Sequence, residues 1–196
     1  MLRPDYVPPE QWSRLERELR PLRLRRGEFF LRPGDDPDRV AVVRSGLVRF
    51  YYVDRAGRES TKAFRKEGEL VAAFAELLTG RPSRTHVQAV EDTELLALSH
   101  ARLRALYGEH PCWQELGRRI AEEHYVNKEQ REYEFLQLSA LERYRLFERR
   151  YPGLAARLPQ YHIASYLGIT PVALSRLKAG GGSRPGRARK RARAGR

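Results

Sequence analysis

A chain of 196 residues with 41% hydrophobic residues has room for one large domain or two modest ones around an ordinary core. No apolar run reaches the ~20 residues of a membrane span. The opening MLRPDYVPPE has neither the apolar stretch nor the cleavage site of a secretory signal, so a cytoplasmic protein with no membrane partner is expected. The single cysteine, Cys112, excludes an intramolecular disulfide and argues against a cysteine-held zinc or iron–sulfur site. The net charge is +13, and seven of the basic residues (Arg184, Arg187, Arg189, Lys190, Arg191, Arg193 and Arg196) lie in the last 17 residues with no acidic one. Such charge suits phosphate neutralisation but does not by itself identify a nucleic-acid partner.

In chain order, Trp12, Leu15 and Leu19 recur at helical spacing and predict a short first helix. Short β-branched or aromatic runs then alternate with glycine and proline punctuation: 28–31, 40–43, 47–53, 86–90 and 94–98. This is the pattern of an all-β sandwich or barrel. Asp54-Arg55-Ala56-Gly57 reads as a hairpin turn between 50–53 and 59–64. Residues 69–78 turn apolar and helical, which breaks the strand series. Ser99 is placed to cap a helix, and Pro111 to open a long one reaching about Leu138. The stripe of that long helix is Trp113, Leu116, Ile120, His124 and Asn127; its second half is too polar for a pure coiled coil. A further helix spans Ala140 to Arg150. The glycine- and arginine-rich residues 180–196 are expected to be disordered.

Gln160 to Lys178 reads as a helix-turn-helix. Ile163, Ala164 and Leu167 share one face of a first helix, Gly168 supplies the turn, and Ile169 plugs the angle between two helices. Thr170 caps the second helix, Pro171 suits its first turn, and Leu174 and Leu177 point back to the core. Thr170, Pro171, Val172, Ser175, Arg176 and Lys178 then face outward, where a recognition helix meets the major groove. His162, with Arg184 and Arg187 of the tail, completes the candidate DNA-contacting set. A plain helical hairpin is the competing interpretation. The small Ala164, the turn glycine and the apolar plug speak against it, because together they permit a close helix crossing.

The order of a β-rich domain, a long helix and a helix-turn-helix resembles the Crp/Fnr family of bacterial regulators. The segments Leu141-Glu142-Arg143-Tyr144 to Tyr151-Pro152 and Pro159 to Pro171 are similar to its short, wingless members of the Bacteroidetes type. The resemblance covers about residues 10–179. It implies an α+β protein: an N-terminal β-roll (a double-stranded β-helix of cyclic-nucleotide-binding type) in 1–108, a long dimerisation helix in 109–138, and a helical helix-turn-helix domain in 139–179. It further implies a homodimer on a pseudo-palindromic double-stranded DNA operator. RNA polymerase stands among the expected partners. Family members that read guanine often carry Arg-Glu at the start of the recognition helix, where this chain has Pro171-Val172; Arg176 matches the family's later arginine.

Nucleotide-binding relatives hold the ribose with Gly-Glu and the cyclic phosphate with Arg-Ser or Arg-Thr. Aligning Gly68 and Gly80 with the family's glycines puts Ala72-Ala73 in the first role and Ser83 at the arginine, with Arg84-Thr85 one step later. A shift of register would recruit Glu69, Arg84 and Thr85. The simpler expectation is an apolar helix over 71–78 filling the site, with Arg84 on the surface, because a buried phosphate without a matched cation is costly. An effector of another chemistry, apolar or anionic, is left open. No cofactor or metal is expected: one cysteine cannot hold a cluster, and the lone histidines His86, His100, His110 and His124 read as ordinary polar residues. Two other functions compete: a ligand-binding module signalling through protein contacts, with a degenerate helix-turn-helix, and a cupin-type enzyme. The enzyme needs His and carboxylate ligands on neighbouring strands, and of the histidines only His86 lies clearly in the strand region.

Overall fold

The structure is a computed structural model, and it describes residues 3–180. Helix α1 (Pro9–Glu18) leads into strands β1 (Arg20–Leu24), β2 (Phe29–Leu31), β3 (Arg39–Ser45), β4 (Val48–Val53), β5 (Glu59–Arg65) and β6 (Leu70–Val71). After the short α2 (Phe74–Thr79) come β7 (His86–Ala89), β8 (Thr93–Ser99), α3 (His100–Glu109) and the 27-residue α4 (Pro111–Gln137). Helices α5 (Ala140–Arg150), α6 (Leu154–Arg157), α7 (Gln160–Leu167) and α8 (Pro171–Gly180) complete the described chain.

The strands form two antiparallel four-stranded sheets, ordered β1-β8-β3-β6 and β2-β7-β4-β5. Their facing sides alternate inward apolar residues, as a half-buried strand requires. Leu24, Val43, Val48, Phe50, Val71, Val87 and Leu95 meet between them as one buried cluster. The expected β-roll, long helix and helix-turn-helix are therefore all present as an α+β fold.

Two expectations need correction. The apolar run 69–78 is a short strand, β6, paired with β3, followed by a helix only from Phe74 to Thr79. Val71 and Leu77 are buried on different elements, and a single amphipathic period cannot tell that arrangement from a longer helix. Strand β1 pairs with β8 from Arg20, two residues after the first helix ends. Leu19 is therefore the C-cap of α1, and it still packs against the cluster that holds Trp12 and Leu15.

Helix capping follows the sequence closely. Ser99 Oγ accepts from the Arg102 amide at 3.2 Å, and Ser139 with Glu142 forms a reciprocal capping box on α5. Helices α1, α4 and α8 each begin with a proline, whose missing N–H is no loss at that position.

Helices α5 to α8 do not hang free of the roll. Leu47, Phe64 and Val90 from the strand region lie in one buried cluster with Phe147, Tyr151, Leu154, Ile163, Tyr166, Leu167 and Leu174. Phe64 packs edge-on against Phe147 and Tyr151, with centroids 6.4 and 6.1 Å away. A polar seam continues this contact. Ser165 Oγ accepts from the Thr61 amide at 2.9 Å and donates to the Glu59 carbonyl at 2.8 Å. Arg157 bonds Glu67 at 2.8 Å and the Gly46 carbonyl at 3.0 Å, and it also pairs with Glu91. That hydrogen bond from Arg157 holds the Glu67 carboxyl down at about 2.

Candidate nucleic-acid interface

The helix-turn-helix is α7 and α8. Ile163, Ala164, Leu167 and Leu174 are fully buried, and Ile169 packs partly buried against them. Ala164 without exposure is what lets the two helices cross closely, since a larger side chain would push them apart. Gly168 takes φ +68°, in the left-handed region that favours glycine, and ends α7. Thr170 Oγ1 then accepts from the Ala173 amide at 3.2 Å, which caps α8.

The outward side of α8 presents Thr170, Pro171, Val172, Ser175, Arg176 and Lys178, all exposed. Val172 is 62% exposed, an uncovered apolar group in the first turn. Lys178 Nζ donates to Gln160 Oε1 at 2.6 Å, so part of its charge is directed back to α7. A shallow apolar groove lined by Ala140, Leu141, Thr170, Val172, Ala173 and Arg176 runs between α5 and α8 on this side.

His162 does not belong with these residues. It is 8% exposed and turned toward the β-roll, where burial first and the nearby Arg49 guanidinium second push its pKa down to about 4. It sits beside a network on the outer face of the roll. Arg49, only 1% exposed, donates to Thr61 Oγ1 at 2.8 Å and Glu59 Oε2 at 2.6 Å, and its guanidinium lies 4.2 Å over the Tyr51 ring. His162 faces inward because α7 packs on β5 along that side. Sequence spacing within α7 alone carries no sign of a second domain. Arg184 and Arg187 lie outside the described residues.

The stripe named on the long helix is mostly used within the chain. Trp113 is 1% exposed in a core with Val7, Trp12, Leu15 and Leu106, and Leu116 packs against that core. His124 is half-buried with its ring 5.9 Å from Phe74, Ile120 is half-buried, and Asn127 is exposed. The large apolar residues that α4 leaves uncovered are others: Tyr125 (63%), Val126 (64%), Tyr133 (54%), Phe135 (43%) and Leu136 (71%). Trp113 and Leu116 of that stripe lie in a seam between α4 and its own chain.

The candidate effector residues differ in burial and in local bonding. Ser83 and Thr85 are buried and bond each other: Thr85 N–H donates to Ser83 Oγ at 3.0 Å, and that hydroxyl donates to the Thr85 carbonyl at 2.9 Å. Arg84 is exposed, Ala73 is buried in the roll interior, and Ala72 packs against the neighbouring core. Glu69 accepts from the Lys66 amide at 3.2 Å within its own turn. Among the described residues no group of three or more His, Cys, Asp or Glu is placed to hold a metal ion. No described helix is long and apolar enough to cross a membrane.

Sequence reasoning missed the cradle beneath the helix-turn-helix. Phe135 of α4 lies against Gly168, with Arg131 and Arg143 over its ring at 4.3 and 5.1 Å. Glu134, 1% exposed, pairs with Arg131 and Arg150. The only sequence signal is a run of charge and aromatic residues at the end of α4, which reads equally well as a solvated face.

A β-roll followed by a long helix and an outward-facing helix-turn-helix defines a class of two-part proteins in which a cyclic-nucleotide-binding-type domain carries a helix-turn-helix domain. Residues 21–110 match the family model described as "Cyclic nucleotide-binding domain". The "Transcriptional activator protein Anr" of Pseudomonas protegens is 34% identical over 86 residues, covering 42% of this chain and 33% of that protein. The "Anaerobic regulatory protein" of Pasteurella multocida is 26% identical over 165 residues, covering 79% of this chain and 60% of that one. The structure of FixK2 from Bradyrhizobium japonicum superposes with a TM-score of 0.72 at 20% identity, covering 82% and 83% of the two chains. The match to the cyclic nucleotide-binding domain covers just under half of the chain, and the likeness to FixK2 shows a shared fold. The chain spans 33% and 60% of the length of the two curated relatives described.

Proposed function

We propose that the protein is a DNA-binding transcription regulator of Crp/Fnr type, acting in the cytoplasm as a homodimer on a two-fold-related DNA site. The observation that carries this reading is the exposed outer side of α8, where Ser175 and Arg176 can meet a groove while Leu174 on the opposite side is locked in the core. The relatives' names as transcriptional activator and regulatory protein support it. Arg176 contacts a base or a phosphate, and exposed Val172 touches a thymine methyl, which proline and valine permit where bidentate guanine contacts are impossible. Operator preference therefore differs from that of relatives with Arg-Glu at this position.

In this reading Tyr125, Val126, Tyr133 and Leu136 form the surface that meets the second copy. Val126 and Tyr133 lie two turns apart on α4, with the other two beside them. The basic tail adds general phosphate affinity, and RNA polymerase is the protein partner of the DNA-bound form. The roll answers to an effector other than a cyclic nucleotide, because Ser83 and Thr85 satisfy each other where a phosphate would need donors. No catalytic role is assigned.

Selection of binding sites from random double-stranded DNA by the full chain tests the proposal. Enrichment of a repeated, inverted half-site is expected. Failure to enrich any sequence at moderate salt overturns it and leaves the reading in which the roll signals through protein contacts.

A further inference from the structure

The last turns of α4 carry their polar residues inward. Arg131 and Glu134 lie where a helix packed against its neighbours would ordinarily bury aliphatic side chains, with Gln130 at the exposed rim. Glu134 is almost completely buried, and a carboxylate out of water is costly unless donors surround it. Three residues supply them. Gln130 Nε2 and Arg131 Nη1 each donate at 3.4 Å, and Arg150 of α5 engages both carboxylate oxygens.

The two arginines then pass the arrangement to α7. Arg150 Nη1 donates to the Tyr166 hydroxyl at 3.0 Å. Arg131 bonds the Tyr166 carbonyl and lays its guanidinium 3.8 Å over the Tyr166 ring. Arg143 of α5 donates to the next carbonyl, Leu167, at 3.1 Å. These carbonyls belong to the last turn of α7, which has no intrahelical donors left, and positive charge there also matches the helix dipole. The chain then turns at Gly168, directly against Phe135. The turn of the helix-turn-helix is thus seated on the end of the long helix, and Glu134 organises the donors that hold it.

Apolar residues of similar volume would supply stability at least as well as a buried ion network. What the network adds is direction, because forked guanidinium contacts fix angles that aliphatic packing leaves loose. We infer that Glu134 is the positioning residue that sets the angle between the helix-turn-helix and α4, and with it the separation of half-sites that a pair of chains accepts. The inference rests on the DNA-binding reading above. Sequence preference within a half-site belongs to α8, whereas spacing preference belongs to this joint.

The test uses the full chain and the site that wild type selects from random DNA, with the spacer between half-sites lengthened or shortened by one and two base pairs. Wild type is expected to disfavour the altered spacers by about tenfold or more, since dimer symmetry fixes half-site separation. Glu134→Gln, which keeps the shape and loses the charge, is expected to reduce that discrimination to about threefold or less while base preference within each half-site stays as in wild type. Arg150→Lys, which keeps the charge and loses the fork, is expected to do the same and decides the matter if Glu134→Gln does not fold. Unchanged spacing discrimination overturns the inference. So does altered base preference, or failure of both variants to fold, because the network then serves the integrity of the domain. Absence of any site selected by wild type overturns the DNA-binding reading itself and is recognised before the variants are made.

Discussion

Phe135 occupies the space that a side chain at position 168 would need: a Cβ built on Gly168 would lie 2.7 Å from Phe135 Cε1. The ring cannot swing aside without leaving the guanidinium groups of Arg131 and Arg143. Gly168→Ala therefore meets two penalties, a left-handed backbone costing about 1–2 kcal/mol and a steric clash on top of it. Thermal melting should show a loss larger than the backbone penalty alone. In a Phe135→Ala background the added cost of Gly168→Ala should fall back to about the backbone value, a coupling readable from the double-mutant cycle. Strict additivity would show that the contact carries no strain.

Arg176→Ala should weaken binding to the selected DNA site by about 1–3 kcal/mol without lowering the melting temperature, because the residue is exposed on α8. A gel-shift titration measures the first effect and a thermal melt the second. Equal affinity in the two proteins removes Arg176 from the interface.

His162 makes stability depend on pH. Its folded pKa is lowered to about 4 from an ordinary 6.5, so the folded protein keeps it neutral where the unfolded chain takes up a proton. Stability from this group is complete above the unfolded value and is lost as pH falls from there toward the folded one. Between pH 6.5 and about 5 the loss should be about 2 kcal/mol. Urea denaturation of wild type and His162→Gln at these pH values gives the contribution by difference; parallel pH dependence in the two proteins would refute it.

Ser165→Ala removes the acceptor of the Thr61 amide and the donor to the Glu59 carbonyl in the seam between α7 and β5. A part-buried amide left without a partner costs about 1–3 kcal/mol. Exposed Ser175→Ala should stay within about 0.5 kcal/mol of wild type and serves as the control. Similar melting of the two variants would mean that water replaces the lost contact.

Cyclic AMP and cyclic GMP at millimolar concentration should leave the melting temperature unchanged. Binding to the folded state alone would raise stability by about 2.7 kcal/mol at a hundred times the dissociation constant. A clear upward shift would return the Ser83–Thr85 turn to consideration as a phosphate site.

Elements defined by local chemistry were legible in the sequence. The Ser99 cap, the helices opened by Pro111 and Pro171 and the glycine-turned α7–α8 pair all rest on contacts within a few residues. The outward residues of α8 followed from the same local period. Features that depend on distant partners were not legible. His162 looks like any polar residue of a short helix until Arg49 and Glu59, more than 100 positions earlier, are seen beside it. The stripe from Trp113 to His124 has the right period for a contact seam, but period does not say which partner fills it. Phe135 and Glu134 read as surface residues of a polar helix end, because only the fold brings Gly168, Arg150 and Tyr166 to them.

The core shared by Leu47, Phe64 and Val90 with Phe147, Ile163 and Leu174 has a consequence for how the parts can be exchanged. The helix-turn-helix domain finishes its interior with side chains from the strand region, so the two halves should melt as one cooperative unit and a separately expressed C-terminal domain lacks part of its own centre. Swapping sensors between relatives would then fail at the boundary between α4 and α5 unless those three strand-region residues travel with that domain.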